Sequence, residues 1–149
     1  MHGGNTQDLT PSPALSFEGA RQRHLAGVSR PEVIDPDTWS DEFAFLTRPG
    51  MADIQLELVY DYQTNVAAYE QWQNYLRKSR PPTLVVWGKN DPLFTVAGAM
   101  AFGRDVPDAE IHLLNPSHFA LDEEAPAIAA LMRRFLGARL FLQRGFSEA

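Results

Sequence analysis

The chain has 149 residues, 44% of them apolar and 11% aromatic, which is one domain's worth of length with enough hydrophobic surface for a core. A net charge of -6, with no Lys/Arg-rich stripe to displace counterions from phosphates, argues against a nucleic-acid partner. The absence of cysteine removes disulfides, thiolate metal sites and cysteine nucleophiles, so any chemistry has to come from oxygen, carboxylate and imidazole groups.

The opening Met1-His2-Gly3-Gly4-Asn5 lacks the basic and apolar regions of a signal peptide, and no uncharged apolar run approaches the roughly 20 residues that span a bilayer. A soluble, cytoplasmic protein with no membrane partner is expected. Residues 1–16, with Pro11 and Pro13 among Gly, Asn, Thr and Ser, read as a flexible lead-in. A short amphipathic helix is predicted over 17–26, stopped by Gly27 and the turn-rich Ser29-Arg30-Pro31 and Asp35-Pro36-Asp37; a second starts near Thr38 and is ended by Pro49-Gly50. Between 51 and 79 the apolar residues Ile54, Leu58, Val66, Tyr69, Trp72, Tyr75 and Leu76 recur at helical spacing, and the spacing predicts two helices meeting near Tyr62-Gln63-Thr64-Asn65.

Pro81-Pro82 closes this helical segment, 17–80, and opens a second unit, 81–149. The run 83–88 is β-branched and aromatic without alternation, as in a strand buried on both faces of a parallel sheet. A helix over 95–104, a strand over 109–114 and a helix over 123–139 follow, the last with an apolar stripe of Ile128, Leu131, Met132, Phe135 and Leu136. The order β-α-β-α predicts an α/β fold with two parallel strands joined by a right-handed crossover. Two such strands leave an edge open to pairing, which makes self-association through that edge an expectation.

In open α/β sheets functional groups sit just beyond the carboxyl ends of the strands. Asp91, in Trp87-Gly88-Lys89-Asn90-Asp91-Pro92, and His118, in Asn115-Pro116-Ser117-His118-Phe119, both occupy that position, one helix and one strand apart. A carboxylate there holds an imidazole in one tautomer and stabilises its protonated form, leaving the other ring nitrogen to act as a base. Taken singly, each residue reads as part of a turn; taken together, at matching strand ends, they read as the acid and histidine of a nucleophile–His–acid triad.

These turns resemble those of the α/β-hydrolases, specifically the epoxide-hydrolase and haloalkane-dehalogenase-like branch, over residues 48–136. The resemblance implies a partial α/β-hydrolase fold, in which Asp91 orients His118 and His118 activates the water that hydrolyses a covalent intermediate. It implies that 17–80 is a cap or lid segment and 81–149 the C-terminal part of the hydrolase core, and that Tyr62 lies about where a cap tyrosine binds an epoxide oxygen. A tyrosine between Leu58 and Val66 on a helix also reads as a packing residue. The sequence departs from the pattern in placing Ser117, where many relatives have glycine, before the histidine.

No nucleophile elbow is present in either its serine or its aspartate form. His2-Gly3-Gly4 resembles the oxyanion-hole motif of esterases, but no strand precedes it, and Ser117 is too close to His118 in the chain to present its hydroxyl to the ring. The expected protein is therefore the C-terminal half of a hydrolase of an ester, epoxide or halide, truncated, with Met1 an internal start and with little or no activity alone. The alternatives are a serine esterase or acyltransferase of the same fold, or a noncatalytic module that pairs through its sheet edge. A small organic substrate is the expected partner of the complete enzyme. No cofactor is expected: there is no glycine-rich phosphate loop, and neither His24, on a polar helix, nor His112, on the exposed face of a strand, has metal-ligand spacing. Trp87 reads as core, Asp122-Glu123-Glu124 as charge at a helix N-terminus and Arg133-Arg134 as a solvated face.

Overall fold

The computed structural model describes residues 13–145, so the lead-in to residue 12 and its His2-Gly3-Gly4 lie outside the described residues. After a 3-10 turn at Pro13–Leu15, α1 spans Phe17–Leu25. Ser16 caps α1 with its hydroxyl oxygen, which accepts the Gly19 N–H at 3.0 Å, and Glu18 places negative charge in the first turn. A second 3-10 turn, Pro31–Val33, leads to α2, Asp37–Leu46, whose first N–H donates to the Asp35 carboxylate at 3.0 Å. α1 and α2 enclose Ala20, Ile34 and Trp39, with Leu25, Val28 and Phe43 packed around them. Phe17 meets Phe43 edge to face at 5.5 Å.

α3 runs unbroken over Met51–Ser79. The sequence pattern predicts a joint near residues 62–65, but Tyr62-Gln63-Thr64-Asn65 contains neither glycine nor proline, and the Thr64 hydroxyl returns to the Asp61 carbonyl at 2.8 Å instead of competing with the helix. α3 touches α2 at one end and α4 at the other, and none of its residues is buried. It stops at Arg80, whose left-handed φ of 41° turns the chain into Pro81-Pro82. The Arg77 guanidinium ties this end to Asp105 at 2.6 Å.

Beyond Pro82 the chain is α/β, as the sequence pattern predicts. β1 (Leu84–Gly88) and β2 (Glu110–Leu114) are parallel, with Val85 opposite Ile111 and Gly88 opposite Leu114. α4 (Val96–Asp105) is the crossover. Side chains alternate between the faces of a strand, so Leu84 and Val86 point one way and Val85 and Trp87 the other. α5 (Ala120–Gly145) lies on the first face through Ile128, Met132 and Phe135, while α4 lies on the second, with Gly98 against Trp87 and Gly103 against Ile111. This is a three-layer sandwich only two strands wide, consistent with part of an α/β-hydrolase fold. Among the described residues each strand pairs on one side alone.

Two further differences from the sequence reading have local causes. α5 begins earlier than residue 123 and is kinked at Glu124 (φ -138°), because Pro126 has no N–H to give to the turn before it. Trp87 is half-buried, since α4 covers only part of its ring. Among the described residues no helix is long and apolar enough to cross a membrane.

Trp39, 8% exposed, is the largest side chain in the α1–α2 core. Trp39→Ala is expected to cost about 3 kcal/mol, read as a lowered urea midpoint.

Candidate active site

Gly88 ends β1 at the level where Leu114 ends β2, so both strands release their turns together. The turns are laced by backbone bonds: the Lys89 N–H donates to the Leu114 carbonyl at 2.9 Å and the Asn90 N–H to the Pro116 carbonyl at 3.2 Å. The Asn90 side-chain amide adds a bond to the Asn115 carbonyl. A Cβ at position 88 would overlap the carbonyl oxygens of both Pro116 and Ser117, so this approach requires glycine.

Within this frame the Asp91 carboxylate has three partners. One oxygen, Oδ1, accepts the N–H groups of Leu93 at 2.8 Å and Phe94 at 3.0 Å, and the other, Oδ2, lies 2.9 Å from His118 Nδ1. A carboxylate only accepts, so Nδ1 carries the proton and Nε2 is the basic nitrogen of the neutral ring. Nε2 makes no hydrogen bond among the described residues. The Asp91 side chain is 7% exposed and that of His118 24%, so the acid is enclosed while the base reaches the cleft. Burial pushes the Asp91 carboxyl up, but the bonds from the Phe94 N–H, His118 and the Leu93 N–H, with the charge of His118, outweigh it and hold the group below its ordinary value.

Phe94, at 5.4 Å, and Phe119, edge-on at 4.9 Å, flank the imidazole. The cavity beside it, about 190 Å³, is lined by Val86, Trp87, Gly88, Asp91, Phe94, His118 and Ala120. That lining offers no hydroxyl, thiol or second carboxylate to serve as a nucleophile. The buried Ser117 gives its hydroxyl proton to the Ala26 carbonyl. Among the described residues no group of three His, Asp or Glu side chains is placed to hold a metal ion.

Tyr62 lies on α3, 47% exposed, and is not part of this lining. Its hydroxyl shares a hydrogen bond of 2.8 Å with that of Tyr69, which, followed by burial and the charge of Tyr62, pushes the Tyr69 hydroxyl up from its ordinary value. His112 faces Glu110 at 2.6 Å. His24 is 8% exposed, bonded to Glu42 at 2.9 Å and stacked on Phe119. Nothing in its polar neighbourhood, Arg21-Gln22-Arg23, signals that environment, because its partners come from distant elements.

No family model matches the chain, and no solved structure matches it at significance. Curated proteins do. The chain is 43% identical over 103 residues, 69% of its length, to an uncharacterized hydrolase of Saccharomyces cerevisiae, and 32% identical over 63 residues, 42% of its length, to a poly(3-hydroxyalkanoate) depolymerase of Ectopseudomonas oleovorans. The matches span 36% and 22% of those two proteins, so the chain corresponds to about a third or less of either relative.

The folded pKa of Asp91 lies below that of an unfolded aspartate, about 3.9, so its stabilising contribution is fully present above that value and is lost as pH falls through the lower folded one. Asp91→Asn is expected to destabilise the chain by about 1 kcal/mol near neutral pH and to flatten the acid side of its stability profile, followed by urea unfolding at stepped pH.

Proposed function

We propose that this chain supplies the acid and the base of an α/β-hydrolase active site. The observation that carries the reading is the Asp91 Oδ2 to His118 Nδ1 contact at 2.9 Å, set at the carboxyl ends of two adjacent parallel strands, in a chain similar to one protein named a hydrolase and another named a depolymerase. In the complete enzyme a nucleophilic hydroxyl from another part of the polypeptide gives its proton to His118 Nε2 and attacks the ester carbonyl; the bond to the alcohol oxygen breaks, the alcohol leaves with the proton from the imidazolium, and an acyl adduct remains. His118 Nε2 then takes a proton from water as the water oxygen attacks the adduct. The bond to the nucleophile breaks, the acid is released, and the imidazolium, stabilised by Asp91, returns its proton to the leaving nucleophile.

The substrate proposed is an ester, by analogy with the depolymerase, whose named polymer is a polyester; the epoxide and halide branches of the family are the alternatives within this reading. The helical segment 17–80 is proposed as the lid, with Tyr62 on its long helix as a substrate contact once its bond to Tyr69 is released. A second reading, a noncatalytic module, has one observation in its favour: among the described residues each strand keeps an edge without a partner strand, able to pair with another chain or a second copy.

The test replaces the matched 103 residues of the yeast hydrolase by the corresponding residues of this chain and assays hydrolysis of a nitrophenyl ester, an aryl epoxide and a bromoalkane. The chimera is expected to turn over the ester, and His118→Ala to reduce kcat by about 10³-fold or more. The isolated chain is expected to show no turnover above buffer. A chimera whose turnover survives His118→Ala would overturn the assignment, and concentration-dependent dimerisation of an inert chain, unaffected by His118→Ala, would favour the module.

A further inference from the structure

The proposed base sits on an irregular turn, and a single bond to Asp91 does not fix the plane of an imidazole. The other contacts of that turn lead to the far end of the chain. The Ser117 N–H donates to Glu123 at 2.6 Å and its hydroxyl to the Ala26 carbonyl, just past the end of α1. Next along, Gly27 holds a φ of 80° and lies so close to Asn90 that a Cβ would overlap the Asn90 carbonyl oxygen. The end of α1 thus touches the acid turn at Asn90 and the histidine turn at Ser117.

In the last turn of α1, His24 carries the same connection further. Its ring stacks on Phe119 with centroids 4.1 Å apart and planes within 10°. Phe119 in turn meets His118 edge-on, at 4.9 Å and 81°. Glu42 on α2 locks the rotation of the His24 ring: it accepts from His24 Nε2 at 2.9 Å and is itself held by the Arg23 guanidinium. On the other side of the ring the nearest carboxylate is Asp122, 3.9 Å from Nδ1, too far for a hydrogen bond. Trp39, at 6.4 Å, closes the pocket. Buried, doubly anchored and one ring removed from His118, His24 has no reaction of its own to perform.

We propose that His24, fixed by Glu42, is a positioning residue that sets the ring of His118 through Phe119. The inference rests on the assignment of His118 as the base. It gives α1 and α2 a task separate from covering substrate: the first helices of the proposed lid segment hold the acid–histidine pair in register.

The experiment uses the full chain, labelled for NMR, and reads two signatures of the His118–Asp91 bond: the downfield proton of His118 Nδ1 and the pH titration of the Asp91 carboxyl carbon. In His24→Ala the Nδ1 proton signal is expected to broaden or vanish, and the Asp91 midpoint to rise by about half a pH unit or more toward the ordinary aspartate value. His24→Phe, which keeps a stacked ring but loses the bond to Glu42, is expected to retain the Nδ1 signal with an Asp91 midpoint between those of the unaltered chain and His24→Ala. Phe119→Ala, which leaves the His24–Glu42 pair in place, is expected to reproduce the loss from the other side. Unchanged signatures in folded His24→Ala or Phe119→Ala overturn the proposal, as does loss of the fold in both, which would make His24 a packing residue only. Because these readings need no turnover, their failure is separable from failure of the catalytic assignment, which the His118→Ala chimera tests.

Discussion

The architecture of the candidate site depends on one missing carbon. Without a side chain at Gly88, the carbonyls of Pro116 and Ser117 approach the end of β1, and the parallel register then brings both turns out at the same height. Every later feature follows: the backbone lacing of Lys89 and Asn90 to the second turn, the Asp91 carboxylate turned toward that turn, and the imidazole within reach of it. Two parallel strands are a narrow platform, and the lacing of their turns supplies rigidity that a wider sheet would otherwise give.

Asp91 shows how two opposing effects resolve. Enclosure by itself would favour the protonated acid, which could not stabilise an imidazolium. Two backbone N–H groups aimed at one oxygen and an imidazole at the other reverse the balance and keep it anionic. The N–H groups come from residues directly after Pro92, whose fixed φ folds the chain back over the carboxylate. The acid is therefore held in its charged form mainly by its own turn, and the same turn presents Phe94 to the ring it serves.

Sequence alone reveals the local parts of this arrangement. The first strand is legible as a β-branched and aromatic run bounded by Pro-Pro and Gly, the second as a short apolar run ended by Asn-Pro, and the two turns as chemistry at strand ends, because each signal lies within a few consecutive residues. Elements whose character depends on distant partners are not legible. His24 looks solvent-facing among arginines and glutamine, yet Glu42, Trp39 and Phe119 bury it. α3 looks interrupted at a polar stretch, yet Tyr62 and Thr64 bond within the helix and the stretch leaves it whole. Trp87 looks like core, yet α4 covers only part of its ring. α3 also keeps Leu56, Val59 and Tyr60 largely exposed, so its apolar spacing marks a helix without identifying what the helix packs against.

The bond from Ser117 to the Ala26 carbonyl joins residues 91 positions apart. Such a contact repays its loop-closure entropy only after the intervening elements have formed, since closing a long loop first fixes many residues for little gain. On a folding pathway the strand pair and its crossover, being more local, come together before α1 swings onto the finished turns. The contacts of the α1 end with both turns thus form late, and a chain arrested short of that closure would hold near-native secondary structure with its acid and histidine turns unsupported from that side.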